Sequence, residues 1–245
     1  MSGTDERRGD RTSVQAYARM AGLLLLVSIV AGGFGEGYAP NLLVHGNDAS
    51  ATVAALRAQE PLFRLSFAAY LVEAICDIAI ALIFYVLLRP VSRGLALLSA
   101  FFGILSTATY AVCELFYFAL PHLLLSDAEY LRTFTPDQIA TLTLLSLKFF
   151  GYGAGLFLVF YGIGWIIRGW LMIRSGYLPS LLGVLMIVGG LGFAARTLST
   201  VLAPRFASPI MLFLMAPGGV LLSLWLLVRG VNQAKWDAKV ASAAN

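Results

Sequence analysis

Apolar residues along this chain fall into six runs, roughly 14–35, 63–88, 93–120, 137–168, 179–203 and 208–229, separated by short stretches rich in charges, prolines and glycines. A helix crossing the ~30 Å hydrocarbon core of a bilayer needs about 20 mainly apolar residues, and each run meets that length. The pattern predicts an all-α polytopic membrane bundle of six transmembrane helices, with residues 1–13 and 230–245 as polar tails. Arg7, Arg8, Arg11 and Arg19 precede the first run as they would in a signal peptide. That run is longer than the ~7–15-residue apolar core of such a peptide, so it reads as a retained helix.

Within the apolar runs, polar residues recur at helical spacing. Ser66, Tyr70, Glu73 and Asp77 form one stripe on the second helix, and Thr107, Tyr110, Glu114 and Tyr117 form a matching stripe on the third. The fourth helix offers Thr141, Lys148 and Tyr152 beside Gly151 and Gly155, and the fifth offers Gly189, Gly192, Arg196 and Ser199. Counting from the cytoplasmic ends at about 1.5 Å per residue puts Glu36, Glu73 and Arg196 at similar heights of roughly 24–25 Å. Asp77 lies deeper at about 18 Å, and Glu114 and Lys148 lie near 30 Å. Ionisable residues in membrane helices face the bundle interior, pair, and mark a site or route. The candidate polar cavity is therefore Glu36, Tyr70, Glu73, Asp77, Tyr110, Glu114, Lys148 and Arg196, with Lys148 or Arg196 as counter-charge. The competing reading makes these residues structural ion pairs that fix helix packing.

Charge sets the orientation. With a cytoplasmic N-terminus, Arg7, Arg8, Arg11, Arg19, Arg89, Arg93, Arg168, Arg174, Arg229, Lys235 and Lys239 all collect inside, leaving Arg57, Arg64, Arg132 and Arg205 outside. This is the positive-inside pattern, and six spans then place both termini in the cytoplasm. Trp165, Trp170, Trp225 and Trp236 fall near the inner ends, as interfacial anchors do. The first outer loop, 36–61, carries an Asn/Asp/Ser start signal and an Ala-rich stretch ended by Pro61, which predicts a short surface helix. The second, 121–138, holds two capping-box patterns, Ser126 with Glu129 and Thr135 with Gln138, the latter followed by Pro136 at a first helical position.

Composition narrows the function classes. Hydrophobic residues make up 59% and charged residues 12% of 245 residues, and the basic residues behind the net charge of +4 are scattered rather than gathered on one face. The lipid bilayer is the expected partner and nucleic acid is not. Cys76 and Cys113 lie in apolar runs without metal-type spacing and read as packing residues. His45 and His122 read as interfacial, and GFGEG (33–37) and GYGAG (151–155) as close-packing glycines, because neither follows a strand as a phosphate loop would. No GxSxG, HExxH or Walker pattern occurs, so the reading leans away from an enzyme and implies no cofactor or metal.

Taken together, FYVLLRPVSRGLALLSAFF (84–102), GWLMIRSGYLPSLLGVLM (169–186), LWLLVRGV (224–231) and EPLFR (60–64) resemble the bacterial membrane family catalogued as domain of unknown function 4386. The resemblance covers nearly the whole chain and implies a six-helix integral membrane protein with no assigned activity or catalytic residues. The expected role is a small transporter-like or ligand-binding protein of the bacterial cytoplasmic membrane, with an outward-facing polar cavity for a small molecule or cation. The alternatives are an intramembrane enzyme using acid-base carboxylates and a structural subunit of a homo-oligomer or membrane complex.

Overall fold

The computed structural model describes the backbone of residues 3–202, 205 and 210–243, and the side chains of 14–202, 205 and 217–243. The side chains of Arg7, Arg8 and Arg11, and residues 208–209 at the start of the sixth apolar run, lie outside the described residues. Among the described residues every regular element is helical: α1 (Gly3–Gly32), α2 (Ala39–Leu43), α3 (Ala49–Ala58), α4 (Glu60–Leu88), α5 (Arg93–Glu114), α6 (Leu120–Leu124), α7 (Pro136–Ser175), α8 (Ser180–Leu202), α9 (Ile210–Val228) and α10 (Gln233–Ala243). Among the described residues five continuous helices are long and apolar enough to cross a membrane: Val14–Leu43, Glu60–Leu88, Arg93–Leu124, Pro136–Ser175 and Ser180–Leu202. The sixth run forms the apolar helix α9, of 19 residues.

Two of these spans contain a wide turn. α1 passes into α2 through the π-helical segment Gly33–Tyr38, and α5 passes into α6 through a second, Leu115–Ala119. Each lies just before a proline, Pro40 or Pro121, in the first turn of the short helix that follows. A proline inside a helix removes one N–H and crowds the carbonyl four residues back, and a wider turn relieves both strains. Those carbonyls belong to Glu36 and Tyr117, so both irregularities fall on the polar stripes.

The chain divides into two compact units whose boundaries fall inside the long helices. The first comprises residues 1–27, 76–106 and 158–245. Its core gathers Leu25, Phe84, Leu87, Met172, Met186, Leu222 and Leu226, with Trp165 and Trp236 buried among them. Two of the four tryptophans are thus core residues rather than interfacial anchors. Trp170 and Trp225 are exposed, the former under the Arg174 guanidinium at 4.9 Å. α7 and α8 pack antiparallel through facing glycines. A side chain at Gly169 would collide with the Gly183 carbonyl, and one at Gly162 would lie 2.5 Å from the Gly190 oxygen. In each helix the two glycines are seven residues apart, the spacing that returns to one face. Between α7 and α8, Gly176 (φ 73°) ends the helix in the left-handed conformation that glycine adopts without strain. Tyr177, in that turn, donates from its hydroxyl to the Leu87 carbonyl at 2.6 Å, and burial pushes its phenol pKa up. Residues 230–243 include the helix α10, which is buried at Trp236, and Asn232 N–H ahead of it donates to the Tyr177 carbonyl at 3.0 Å.

The second unit comprises residues 28–75 and 107–157. Its core is small, built on Ala39, Leu43, Leu56, Phe63, Tyr117 and Leu147. α3 is the short helix expected in the first outer loop, capped by Asp48, whose side chain accepts from Ala51 N–H at 2.9 Å. It ends at Ala58, before Pro61, which lies in the first turn of α4, where its missing N–H is harmless. The capping box of Thr135 and Gln138 forms at 2.8 and 3.3 Å. That of Ser126 does not: its hydroxyl donates to the Leu123 carbonyl at 2.7 Å and Glu129 opens a 3₁₀ turn. Gly151 was expected to lie against a neighbouring helix, yet open space surrounds it. The close contact in that segment is Gly153 on Cys113, because α7 turns its 153 face inward.

Replacing Gly169 or Gly183 by Leu should therefore destabilise the protein by about 1–3 kcal/mol or more through overpacking. Gly151→Leu should stay within about 0.5 kcal/mol of the parent. Thermal unfolding in detergent followed by far-UV circular dichroism reads both.

Candidate functional site

The stripe residues of the second unit converge. From α4, Ser66 and Tyr70 are buried and Glu73 is half-buried; from α5 and its π-turn, Tyr110, Glu114 and Tyr117 are all about 3% exposed. The π-turn after α1 adds Glu36. Close helix approach makes this meeting possible. A Cβ at Gly32 would fall 2.6 Å from Glu73 Oε1, and one at Gly35 would fall 2.9 Å from the Ser66 carbonyl. Any larger residue at position 32 would occupy the place of the Glu73 carboxylate.

The tyrosines hold the centre. The Tyr70 and Tyr110 rings meet edge to face at 5.1 Å, and Tyr110 also packs on Phe157 at 4.6 Å and Phe150 at 5.6 Å. Glu36, Glu73 and Glu114 all lie close enough to act electrostatically on both hydroxyls, and Tyr110 is hydrogen-bonded to Glu36 and Glu114. A step further along the stripe, the Tyr117 hydroxyl is 3.1 Å from Ser66 Oγ. Since Ser66 already donates to the Phe63 carbonyl at 2.7 Å, Tyr117 is the donor of that pair. The Tyr70 hydroxyl and Glu114 Oε2 are buried with no hydrogen-bond partner among the described residues. A buried polar atom without a partner costs about 1–3 kcal/mol, which a ligand hydrogen bond would recover. Among the described residues, no group of three His, Cys, Asp or Glu side chains is placed to hold a metal ion.

The remaining candidates fall elsewhere. Lys148 is exposed and makes no ion pair among the described residues, because α7 turns Ala140, Thr143, Ser146 and Leu147 inward and leaves 141, 148 and 152 on the opposite face. Arg196 is also exposed and belongs to the first unit. Asp77, 8% exposed, belongs to the first unit as well. A cation that acts on it electrostatically is Arg168, which the sequence placed at the cytoplasmic boundary. Arg168 is 3% exposed, stacks on the Phe84 ring at 4.5 Å, and is acted on electrostatically by Tyr161 and Asp77. Gly103 leaves room for its guanidinium, which lies 3.9 Å from where a Cβ would stand. The reason for the misplacement is length: α7 runs to Ser175, so Arg168 lies about two turns inside its helix.

Residues 20–230 match the family model described as Domain of unknown function (DUF4386). A protein of Archaeoglobus fulgidus, described as uncharacterized, is 29% identical over 156 residues, covering 64% of this chain and 78% of the relative. No solved structure matches.

Asp77 and Arg168 are both buried and within electrostatic reach, and removing one charge leaves the other less compensated, so Arg168→Met should cost up to about 3–5 kcal/mol. Adding Asp77→Asn should return part of that loss, and a double-mutant cycle on detergent melting temperatures measures the coupling. Strict additivity would mean that Asp77 and Arg168 are energetically independent.

Proposed function

The chain belongs to the family described as domain of unknown function DUF4386, and from that premise we propose that this member binds a small organic cation at the Glu36–Glu73–Glu114 cluster, in competition with protons, as a transporter-like or ligand-binding protein. The observation that carries the reading is the convergence of these carboxylates on the Tyr70 and Tyr110 hydroxyls. Carboxylates give an ammonium or guanidinium its countercharge, the Tyr70 oxygen accepts a further hydrogen bond, and the rings around Tyr110 offer aromatic faces to a cation. Both π-turns adjoin the cluster, and such turns occur frequently at functional positions.

Cation and protons compete for the same oxygens, which links occupancy to pH and gives a proton gradient a handle on the ligand. The two long loops that the charge pattern assigns to the outer side, 36–61 and 121–138, belong to the unit that holds the cluster, while the short one at Arg205 belongs to the first; this favours access from outside the bacterial cytoplasmic membrane with both termini inside. The alternative of a structural subunit lacks a comparable observation, since a packing role leaves the buried Tyr70 hydroxyl without a partner among the described residues.

A thermal-shift screen of amines, guanidines, carboxylic acids and metal ions on the purified protein tests this. At least one organic cation should raise the melting temperature, with an affinity that weakens as the pH is lowered, by up to about tenfold per pH unit for each proton it displaces. Glu114→Gln should abolish the effect, and Tyr70→Phe should weaken binding by about tenfold. Stabilisation by acids or metals alone, or a Glu114→Gln variant that binds normally, would overturn the reading.

A further inference from the structure

A second feature of the fold lies outside the carboxylate cluster, in the first unit. The turn between α4 and α5 and the C-terminal helix α10 enclose a cleft of about 510 Å³, lined by Tyr85, Arg89, Ser92, Arg93, Trp236 and Val240 among others. We infer that this cleft binds the phosphate of an anionic membrane phospholipid.

Arg89 and Arg93 are both exposed, one on each side of the turn, and neither makes a salt bridge or side-chain hydrogen bond among the described residues. Two unneutralised guanidiniums in one concavity favour an anion, and their forked donors match phosphate oxygens. α5, a helix of 22 residues, begins at Arg93 and directs the positive end of its dipole to the same place. Ser92 Oγ accepts only a long bond from Leu95 N–H, at 3.4 Å, and its own hydrogen is available to a ligand. Outside the lining, α10 also carries the exposed Lys235 and the half-buried Lys239, next in sequence to the lining residues Trp236 and Val240, against one acid on that helix, Asp237.

Size and setting select a lipid over a free anion. The volume is in the ~300–1,000 Å³ range of small-molecule sites, more than one phosphate needs. The wall that is not basic is aromatic and aliphatic, from Tyr85, Trp236 and Val240, as a glycerol backbone requires. The arginines stand at the ends of two membrane-spanning helices, where a phospholipid headgroup is the anion at highest local concentration.

The test is native mass spectrometry of the full-length protein in neutral detergent, titrated separately with phosphatidylglycerol, phosphatidylcholine and inorganic phosphate. Phosphatidylglycerol should bind at least about tenfold more tightly than phosphatidylcholine, and phosphate should compete only weakly. Arg89→Gln with Arg93→Gln should remove the preference, whereas Arg174→Gln, an exposed cation outside the cleft, should keep it. Should the glutamine pair fail to fold, Val240→Glu, which brings an acid to the same wall, should also abolish it. Equal binding of the two lipids, phosphate binding as tight as phosphatidylglycerol, or an unchanged preference in the arginine and Val240→Glu variants would each overturn the proposal.

Discussion

A carboxylate facing hydrocarbon costs roughly 2.5–3.5 kcal/mol even on insertion scales that allow it to relax, so every acid on a membrane helix constrains how that helix turns. In this protein the constraint is met in two ways. Asp77 is buried within electrostatic reach of the Arg168 guanidinium. Glu36, Glu73 and Glu114 act together on two tyrosine hydroxyls, and small residues and wide helical turns lie beside them. Gly32 and Gly35 let α1 approach α4 closely enough for the Glu73 carboxylate to lie against bare backbone. The π-turns ahead of Pro40 and Pro121 reset the register of the helices that carry Glu36 and Glu114.

The two units are stabilised differently. The first owns the larger apolar core and the facing glycines of α7 and α8, where helix backbones touch and van der Waals contact replaces side-chain interdigitation. The second has a smaller core and spends its interior on phenols, hydroxyls and acids. A segment with fewer apolar contacts and wide helical turns opens at lower free energy, which is what ligand entry needs. The polar cluster therefore lies in the half of the chain least committed to packing.

Much of this was legible in the sequence because membrane helices enforce one-sided patterning. The stripes from Ser66 to Asp77 and from Thr107 to Tyr117 are polar residues at helical spacing in otherwise apolar runs, and their buried positions follow from that alone. The same rule misled on α7, where Thr141, Lys148 and Tyr152 also recur at helical spacing but line the exposed face. Periodicity identifies a face without saying which way it turns. Arg168, Trp165 and Trp236 resembled boundary residues because charge and indole are common there, and only the 40-residue length of α7 and the docking of α10 reveal them as interior. Glycine spacing had a similar ambiguity: the GxxxG of 151–155 is conspicuous, while the contacts between α7 and α8 use glycines seven apart, split between two helices. Gly32 and Gly35, beside Glu36, were the available signal for the α1–α4 crossing.

The central claim is that Glu36 and Glu114 share one hydrogen-bonded site through the Tyr110 hydroxyl. Infrared difference spectroscopy between two pH values, reading the carboxyl C=O stretch of the protein in lipid, tests it most directly. If the site is shared, Glu114→Gln removes a carboxyl band, and Tyr110→Phe, which deletes only a hydroxyl, shifts the bands assigned to Glu36 and Glu114 together. Carboxyl bands identical in Tyr110→Phe and the parent would contradict the account, leaving acids that are buried near one another without forming a site.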